Sequence, residues 1–287
     1  MTTPDPADLL ALARAACDAA DSLLVAGLAR RHDEAWQVWS KSSATDLATE
    51  MDVAAERVVV ETLLTARPFD VVLGEEGGVQ RSGDLVAAET REDVVTWVVD
   101  PLDGTTNYVY ALPHWAVSIA AQVNGVTVAG VVSVPMMGER FTAVAGGGAW
   151  LHDSGNAARR LVVAEPPTAA QALVATGFGY AEQRRREQGA VIASLLPAVR
   201  DIRRLGAAAI DLCHVACGRV DAYFERGLQP WDLAAGQLIA AEAGARVEGL
   251  EGALAGEEMV IAAAPGLFVE LHDLISSASH GGEGLAP

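Results

Sequence analysis

The sequence has few cysteines and few long apolar runs, and each shortage narrows what the protein can be. Three cysteines occur in 287 residues, Cys17, Cys213 and Cys217, and they form neither a disulfide framework nor a CxxC pair. The apolar stretches are short or interrupted, so the sequence predicts no membrane span. The N-terminus lacks the basic region of a secretory signal. Together these features predict a cytoplasmic protein.

Basic residues are also scarce: 20 Lys and Arg stand against 38 Asp and Glu, which gives a net charge of −18. Such a surface repels nucleic acid and anionic membranes, so we expect neither as a partner. It would also repel a phosphate substrate unless bound cations reverse the field locally. Because 51% of the residues are apolar, the chain can bury a core, either as two domains or as one large layered domain.

The most informative stretch is 97–120, WVVDPLDGTTNYVYALPHWAVSIA. The β-branched run 94–99 predicts a buried strand, which we expect to end at Asp100 because Pro101 cannot donate a hydrogen bond. Carboxylates bind hard cations such as Mg²⁺, and free N–H groups at a turn or helix start bind phosphate oxygens. One loop would therefore offer what metal-assisted phosphoryl chemistry needs, although Asp-Pro and Asp-Gly are also ordinary turn formers. The polar residues and the glycine of this turn are Asp100, Asp103, Gly104, Thr105, Thr106 and Asn107.

Acidic residues recur at three other predicted element ends. The buried strand 71–73 runs into GEEGG at 74–78, whose glutamates are candidate metal ligands or a water-activating base rather than only a solvated turn. Asp52 lies in the first turn of a predicted helix over 51–65. Asp232 lies in the first turn of another, which begins PWDLAAG. A sufficient alternative role is complementing the helix dipole for Asp52 and capping the helix for Asp232.

Hairpin signals predict the sheet type. Asn124-Gly125 joins two apolar strands within 116–134, and a glycine run joins two more within 141–151. A largely antiparallel N-terminal sheet therefore excludes a simple doubly wound fold. The polar stretch 31–44 is predicted to be a surface loop in which Lys41-Ser42-Ser43 could be a mobile lid.

A polar segment near 153–160 suggests a division of the α+β chain into two parts. Residues 1–153 would form an N-terminal α+β half that binds metal. Residues 154–287 would form a C-terminal α/β half that completes the active site. Each half carries at least one of the acidic segments, so a shared site between them is expected.

In combination these segments resemble the inositol monophosphatase family of Mg²⁺-dependent, Li⁺-inhibited phosphatases. The two family signatures are similar to 97–120 and to WDLAAGQLIAAEAGARV, and the GEEGG and KSSATDLATEMD segments match in order and spacing. The resemblance covers nearly the whole chain and is nearest to the bacterial extragenic-suppressor type. It implies a layered α-β-α-β-α sugar-phosphatase fold with a second, mixed sheet, and a homodimer.

The resemblance also implies site residues and two or three Mg²⁺ ions. The first ion would be held by Glu75, Asp100 and the carbonyl of Leu102, and the second by Asp100, Asp103 and Asp232. Glu75 would share a third ion with support from Asp52 and Glu76. The catalytic residues would be Glu75, Thr105 and Asp52. The substrate-binding residues would be Asp103, Gly104, Thr105, Thr106, Ala208, Glu225 and Asp232, with Ala208 and Glu225 on the inositol ring and Lys41 on the mobile loop.

The implied reaction is hydrolysis of myo-inositol monophosphate by direct attack of a metal-activated water. No phosphoenzyme is expected, because the motifs hold no cysteine and His114 and Ser118 lie well past the acidic turn. Ala207 replaces a small polar residue of the family, which bears on substrate preference, and Tyr108 replaces the usual Phe. Alternatives are a related phosphatase acting on histidinol phosphate, fructose 1,6-bisphosphate or 3′-phosphoadenosine nucleotides, or a non-enzymatic partner protein.

Overall fold

The structure, a computed structural model, describes residues 4–31, 36–41, 46–81, 94–153, 155, 157–165 and 168–281. Two long helices lie near the N-terminus, α1 (Pro6–Ala29) and α2 (Glu50–Ala66), and α2 confirms the helix predicted over 51–65. Each begins where a side chain caps it: Asp5 accepts a hydrogen bond from the Ala7 N–H at 2.8 Å, and Thr49 accepts one from the Met51 N–H at 3.1 Å. Their apolar faces are buried in one cluster, which the first sheet completes.

The predicted loop over 31–44 is wrong in part, because β1 (Val38–Ser40) pairs antiparallel with β2 (Leu47–Thr49) in a two-stranded ribbon. Lys41 directly follows β1, and its N–H donates to the Asp46 carbonyl at 2.8 Å. Ser42 and Ser43 of the predicted lid lie outside the described residues. The sequence pattern did not predict β1, because this strand is exposed throughout and therefore carries no alternation of apolar and polar residues.

The first sheet has eight strands in the order β10-β9-β8-β7-β6-β5-β3-β4. All neighbours are antiparallel except β3 and β5, so the sheet is largely antiparallel, as predicted. The predicted hairpin at Asn124-Gly125 is confirmed, and both residues have positive φ. The strands are β3 (Val71–Gly74), β4 (Gly78–Arg81), β5 (Thr96–Asp103), β6 (Ala116–Val123), β7 (Val126–Val134), β8 (Glu139–Val144), β9 (Gly148–Asp153) and β10 (Arg159–Arg160).

Strand β5 does not end at Asp100, so that prediction was wrong. The strand runs on to Asp103, and its register with β6 shifts between Asp100 and Asp103. A local irregularity of this kind accommodates Pro101, which has no N–H to give to the ladder. The consequence is that both aspartates lie on one continuous, buried strand end.

The second sheet is mixed and has five strands in the order β12-β11-β13-β15-β14. Its first three strands are parallel and the others pair antiparallel. The strands are β11 (Leu173–Thr176), β12 (Asp201–Arg203), β13 (Ala222–Glu225), β14 (Arg246–Glu248) and β15 (Val260–Ala263). The remaining helices are α3 (Thr105–Val109), α4 (Glu182–Leu195), α5 (Ala208–Ala216), α6 (Pro230–Glu242) and α7 (Pro265–Gly281).

The elements stack as α-β-α-β-α, which confirms the predicted layers. Helices α1 and α2 cover one face of the first sheet, α5 and α6 lie between the two sheets, and α4 and α7 cover the far side of the second. The middle layer is close-packed: a Cβ on Gly130 of β7 would lie 3.1 Å from Ala235 Cα of α6. No helix among the described residues is both long and apolar enough to cross a membrane.

Candidate active site

A cleft of about 480 Å³ opens where β3, β5 and β13 end and where α3, α5 and α6 begin. The chain brings residues more than 150 positions apart to this one place, because strand ends and helix starts from both sheets meet there. All the predicted metal ligands line the cleft, and so do most of the predicted substrate contacts. These residues are Glu75, Asp100, Leu102, Asp103, Gly104, Thr105, Ala208, Glu225 and Asp232.

Asp103, at the end of β5 in the first sheet, is hydrogen-bonded to the start of α5, the helix between the two sheets. Its carboxylate accepts hydrogen bonds from the N–H groups of Ala208 at 3.2 Å and Ala209 at 2.7 Å, at the start of α5. The N-cap residue of α5, Ala207, has no side chain that could cap the helix, so Asp103 caps it from a distant strand. Burial raises the pKa of Asp103 to about 7, although the two N–H groups act in the opposite direction.

The other carboxylates repel one another in a buried space. Asp100 is 1% exposed, and burial together with Glu75, Asp103 and Asp232 raises its pKa well above the usual range. Burial also raises the pKa of Asp232, whose carboxylate accepts a hydrogen bond from the Gln229 N–H at 2.7 Å. A bound cation would oppose these shifts, since it would favour the charged form of each group.

Lys41 supplies a cationic group to this cluster. Its ammonium lies 2.8 Å from Glu75 Oε1 and also donates to Glu76. The two glutamates raise the pKa of Lys41, so the side chain stays protonated. The sequence predicted Lys41 only as part of a loop over the site, whereas the structure places its charge directly on a predicted metal ligand.

The donor set fits a hard divalent cation in kind and place: Asp100, Asp103, Asp232 and Glu75 offer carboxylate oxygens, and Leu102 offers a carbonyl. Among the described residues, however, no three acidic, histidine or cysteine side chains already stand in an arrangement that could hold a metal ion. Each carboxylate instead turns to its own N–H or ammonium partner. Cation binding would therefore have to reorient these side chains toward a common point.

Thr105 and Asp52 form a buried pair beside the carboxylates. The Thr105 hydroxyl donates to Asp52 Oδ1 at 2.7 Å and lies 3.2 Å from the Leu102 carbonyl. The other oxygen of Asp52 accepts from the N–H and the hydroxyl of Thr49, at 2.7 and 2.6 Å. Asp52 thus completes a capping box in the first turn of α2, where it was predicted to lie, and also orients Thr105. It does not line the cleft itself.

Gly104 must be a glycine for two reasons. Its φ is +91°, and a Cβ there would lie 2.9 Å from the His114 carbonyl oxygen. The close approach allows α3 to begin directly at the cleft wall. Thr106, the next predicted substrate contact, does not line the cleft, and its hydroxyl faces Tyr180 instead.

Glu225 ends β13 on the opposite wall, where it accepts a hydrogen bond from the Tyr223 hydroxyl at 2.7 Å. Burial raises the pKa of Glu225 to about 7. Three arginines for which no role was predicted also line the cleft: Arg184, Arg204 and Arg226. Arg184 belongs to an arginine run on a helix, which is usually a solvated face, and no local pattern marked Arg204 or Arg226.

The five layers and the carboxylate-lined cleft define a phosphatase. The sequence profile of the inositol monophosphatase family matches residues 5–281, so the chain belongs to that family. It is 48% identical over 250 residues to inositol-1-monophosphatase SuhB of Mycobacterium tuberculosis, covering 86% of this chain and 84% of that protein. It is 42% identical over 217 residues to Nus factor SuhB of Escherichia coli, with 74% and 75% covered. The structure of SuhB from Bartonella henselae superposes with a TM-score of 0.83 at 32% identity, with 93% of this chain and 98% of that one covered.

Proposed function

We propose that this protein hydrolyses myo-inositol monophosphate to inositol and phosphate and that it requires Mg²⁺. The observation that carries the proposal is the convergence on one cleft of four carboxylates and the Thr105 hydroxyl, which Asp52 orients from outside the cleft. All of these are hard oxygen ligands, which suit Mg²⁺ better than Zn²⁺. The name of the Mycobacterium tuberculosis relative, an inositol-1-monophosphatase, supports the substrate.

The residues that would hold the cations are those predicted. Glu75, Asp100 and the Leu102 carbonyl would hold one ion, and Asp100, Asp103 and Asp232 a second. Glu75, with Asp52 and Glu76 nearby, would bind a weaker third. When bound, such ions supply Lewis-acid stabilisation of the charge that develops on the phosphate oxygens. They would also offset the repulsion that a net charge of −18 exerts on an anionic substrate.

The proton path rests on Thr105. Because its hydroxyl hydrogen already points to Asp52 Oδ1, at 2.7 Å, its oxygen is left with lone pairs that can accept a hydrogen bond from a water molecule in the cleft. That water would thereby be oriented with a lone pair toward the phosphorus. As that water attacks, its proton would pass to the Thr105 oxygen while the Thr105 proton passes to Asp52 Oδ1. Glu75, at the edge of the same cleft, is the second candidate to accept the proton. Among the described residues lining the cleft there is no cysteine, histidine or serine that could form a phosphoenzyme.

The substrate would lie between the wall of the cleft at the start of α3 and the opposite wall, which carries Glu225 at the end of β13. Gly104 lets the start of α3 approach the phosphate closely, with Thr105 and Thr106 on that helix. Ala208 and Glu225 would face the inositol ring. The Tyr223 hydroxyl fixes the Glu225 carboxylate, and this preorientation favours hydrogen bonds to ring hydroxyls. Li⁺ inhibition, a homodimer, a cytoplasmic location and the absence of a nucleic-acid partner complete the proposal.

A second candidate substrate is a sugar bisphosphate such as fructose 1,6-bisphosphate. The three arginines of the cleft, Arg184, Arg204 and Arg226, favour it because they could bind a second anionic group away from the carboxylates. Inositol monophosphate has no such group. A preference for bisphosphates would therefore depend on these arginines, whereas turnover of inositol monophosphate would not.

Phosphate release from a panel of monoesters and bisphosphates, with and without Mg²⁺ and Li⁺, tests both candidates. We expect the highest kcat/KM for inositol monophosphate, no turnover in excess chelator, and inhibition by Li⁺. Full activity in chelator would overturn the metal requirement. A higher kcat/KM for the bisphosphate, lost in Arg204→Gln, would favour the second candidate.

A further inference from the structure

The turn that carries Glu75 is held from behind by a second glutamate, Glu56, in the middle of α2. Glu56 is 3% exposed. Its carboxylate accepts hydrogen bonds from the N–H groups of Glu76 at 2.8 Å and Gly77 at 2.7 Å, and from Gln80 Nε2 at 2.6 Å. Three of the about four lone-pair positions of this buried carboxylate are thus occupied by donors.

These bonds fix the backbone of Glu75 on its C-terminal side. On the other side, the Glu75 N–H itself donates to the Val99 carbonyl of β5 at 3.3 Å. The peptide units before and after Glu75 are therefore both anchored, one to the strand that bears Asp100 and one to α2. The backbone position from which the Glu75 side chain extends is thereby fixed relative to the other carboxylates.

Two of the three glycines of the GEEGG segment, Gly74 and Gly77, lie against the Glu56 carboxylate. A Cβ on Gly77 would lie 2.6 Å from Glu56 Oε1, and a Cβ on Gly74 would clash with the same carboxylate. Neither glycine has a positive φ, so both positions require glycine for space rather than for backbone conformation. The absence of side chains at these two positions thus leaves the space that the Glu56 carboxylate occupies.

The hydrogen-bond donors around position 56 are best satisfied by a carboxylate. All three partners of Glu56 are donors, and a carboxylate is acceptor-only with lone pairs for each of them. A glutamine would turn its own NH₂ group toward at least one donor. Glu56 also lies one helical turn after Asp52, so one face of α2 orients both the Thr105 hydroxyl and the Glu75 turn.

We propose that Glu56 is a positioning residue of the metal site: it sets the affinity for the divalent cation by fixing the turn that presents Glu75. The inference rests on the proposed function in taking Glu75 as a metal ligand. Outer partners that orient a ligand typically change metal affinity by about 10–100-fold. Glu56→Gln should therefore raise the Mg²⁺ dissociation constant by at least about tenfold.

The decisive measurement is calorimetric titration of Mg²⁺ into substrate-free protein, with thermal unfolding in chelator recorded in parallel. Glu61→Gln is the matched control, because it removes one carboxylate from the exposed side of the same helix. We expect Glu56→Gln to bind Mg²⁺ at least tenfold more weakly and Glu61→Gln to bind it like the wild type. An unchanged dissociation constant in Glu56→Gln, together with a lower Tm, would show a merely structural role and overturn the proposal.

A second pair of variants keeps the test decisive if Glu56→Gln does not fold. Gly77→Ala pushes a methyl group against both Glu56 and its partner Gln80 from the turn side, whereas Gly189→Ala adds one in open space on α4. Weaker Mg²⁺ binding is expected in Gly77→Ala alone, and equal binding in both would contradict the proposal. The titration needs no substrate, so Mg²⁺ binding without inositol monophosphate turnover would overturn the proposed function and leave the inference on Glu56 standing.

Discussion

Removing the Thr105 hydroxyl should lower kcat while leaving Mg²⁺ binding nearly intact. The hydroxyl donates to Asp52 Oδ1 at 2.7 Å, and its oxygen is then free to accept a hydrogen bond from the attacking water. A positioned proton-transfer group contributes a rate factor of about 10²–10⁴. We expect Thr105→Ala to lower kcat by on the order of 10²-fold, which corresponds to about 2.7 kcal/mol in the barrier.

The same substitution also has a cost in stability, which the assay must separate from the catalytic effect. In Thr105→Ala one oxygen of the buried Asp52 loses its partner, while the other keeps both bonds to Thr49. An unpaired buried acceptor costs about 1–3 kcal/mol in the free energy of unfolding. If the variant remains folded at the assay temperature, this loss of stability lowers its Tm but does not by itself lower kcat, so a fall in kcat reports the catalytic role.

Steady-state kinetics and calorimetric Mg²⁺ titration on Thr105→Ala, Thr105→Ser and Asp103→Asn distinguish the roles. Serine retains the hydroxyl and should retain most of kcat. Asp103→Asn should weaken binding of the second Mg²⁺ and lose most activity. A near-normal kcat in Thr105→Ala, or equal loss of Mg²⁺ affinity in Thr105→Ala and Asp103→Asn, would refute this division of roles.

Two further predictions concern the ring-binding wall and the stability at low pH. Glu225→Gln should lower turnover of inositol monophosphate more than turnover of an aryl phosphate, because Glu225 is held by Tyr223 toward the proposed ring site; equal losses in kcat/KM would show that it does not contact the ring. Burial lowers the pKa of His214 to about 4, so the unfolded chain binds the additional proton as the pH falls through 6.5. From pH 7 to pH 5 this residue alone should remove about 2 kcal/mol from the free energy of unfolding, because each pKa unit corresponds to about 1.4 kcal/mol. Denaturant titrations at pH 7 and pH 5 on the wild type and on His214→Gln isolate this contribution, because the raised pKa values of Asp103 and Glu225 act in the opposite direction and equally in both proteins. From pH 7 to pH 5 the free energy of unfolding should change by about 2 kcal/mol less favourably in the wild type than in His214→Gln; an equal change in both proteins would exclude His214 as the source.

Features that depend on neighbours in sequence could be predicted. The hairpin at Asn124-Gly125 is one, because both residues readily adopt the positive φ that the turn requires. Helix starts are another: Asp52 and Asp232 were expected in first turns, and both accept N–H groups there. The layered architecture itself was predicted by resemblance, since the spacing of apolar residues fixes element types but not how the sheets stack.

Features that depend on distant partners could not be predicted from residue patterns. Glu56 has the sequence appearance of a solvated helix acid, and only the fold brings it to a turn 20 residues away. Arg184 belongs to an exposed-looking run, yet it lines the cleft beside Glu225. The early end predicted for β5 failed for a related reason, because pairing with β6 continues past Pro101 through a shift in register.

Asp103 shows why fold and site cannot be separated in this protein. It was predicted only as a metal ligand and substrate contact, but both of its oxygens accept N–H groups of α5, more than 100 residues further along the chain. A carboxylate has about four lone-pair positions, so two bonds to α5 leave others for a cation. The same bonds fix the start of the helix that carries Ala208 to the strand that carries Asp100. The carboxylate that would bind the second cation therefore also holds the two walls of the cleft together.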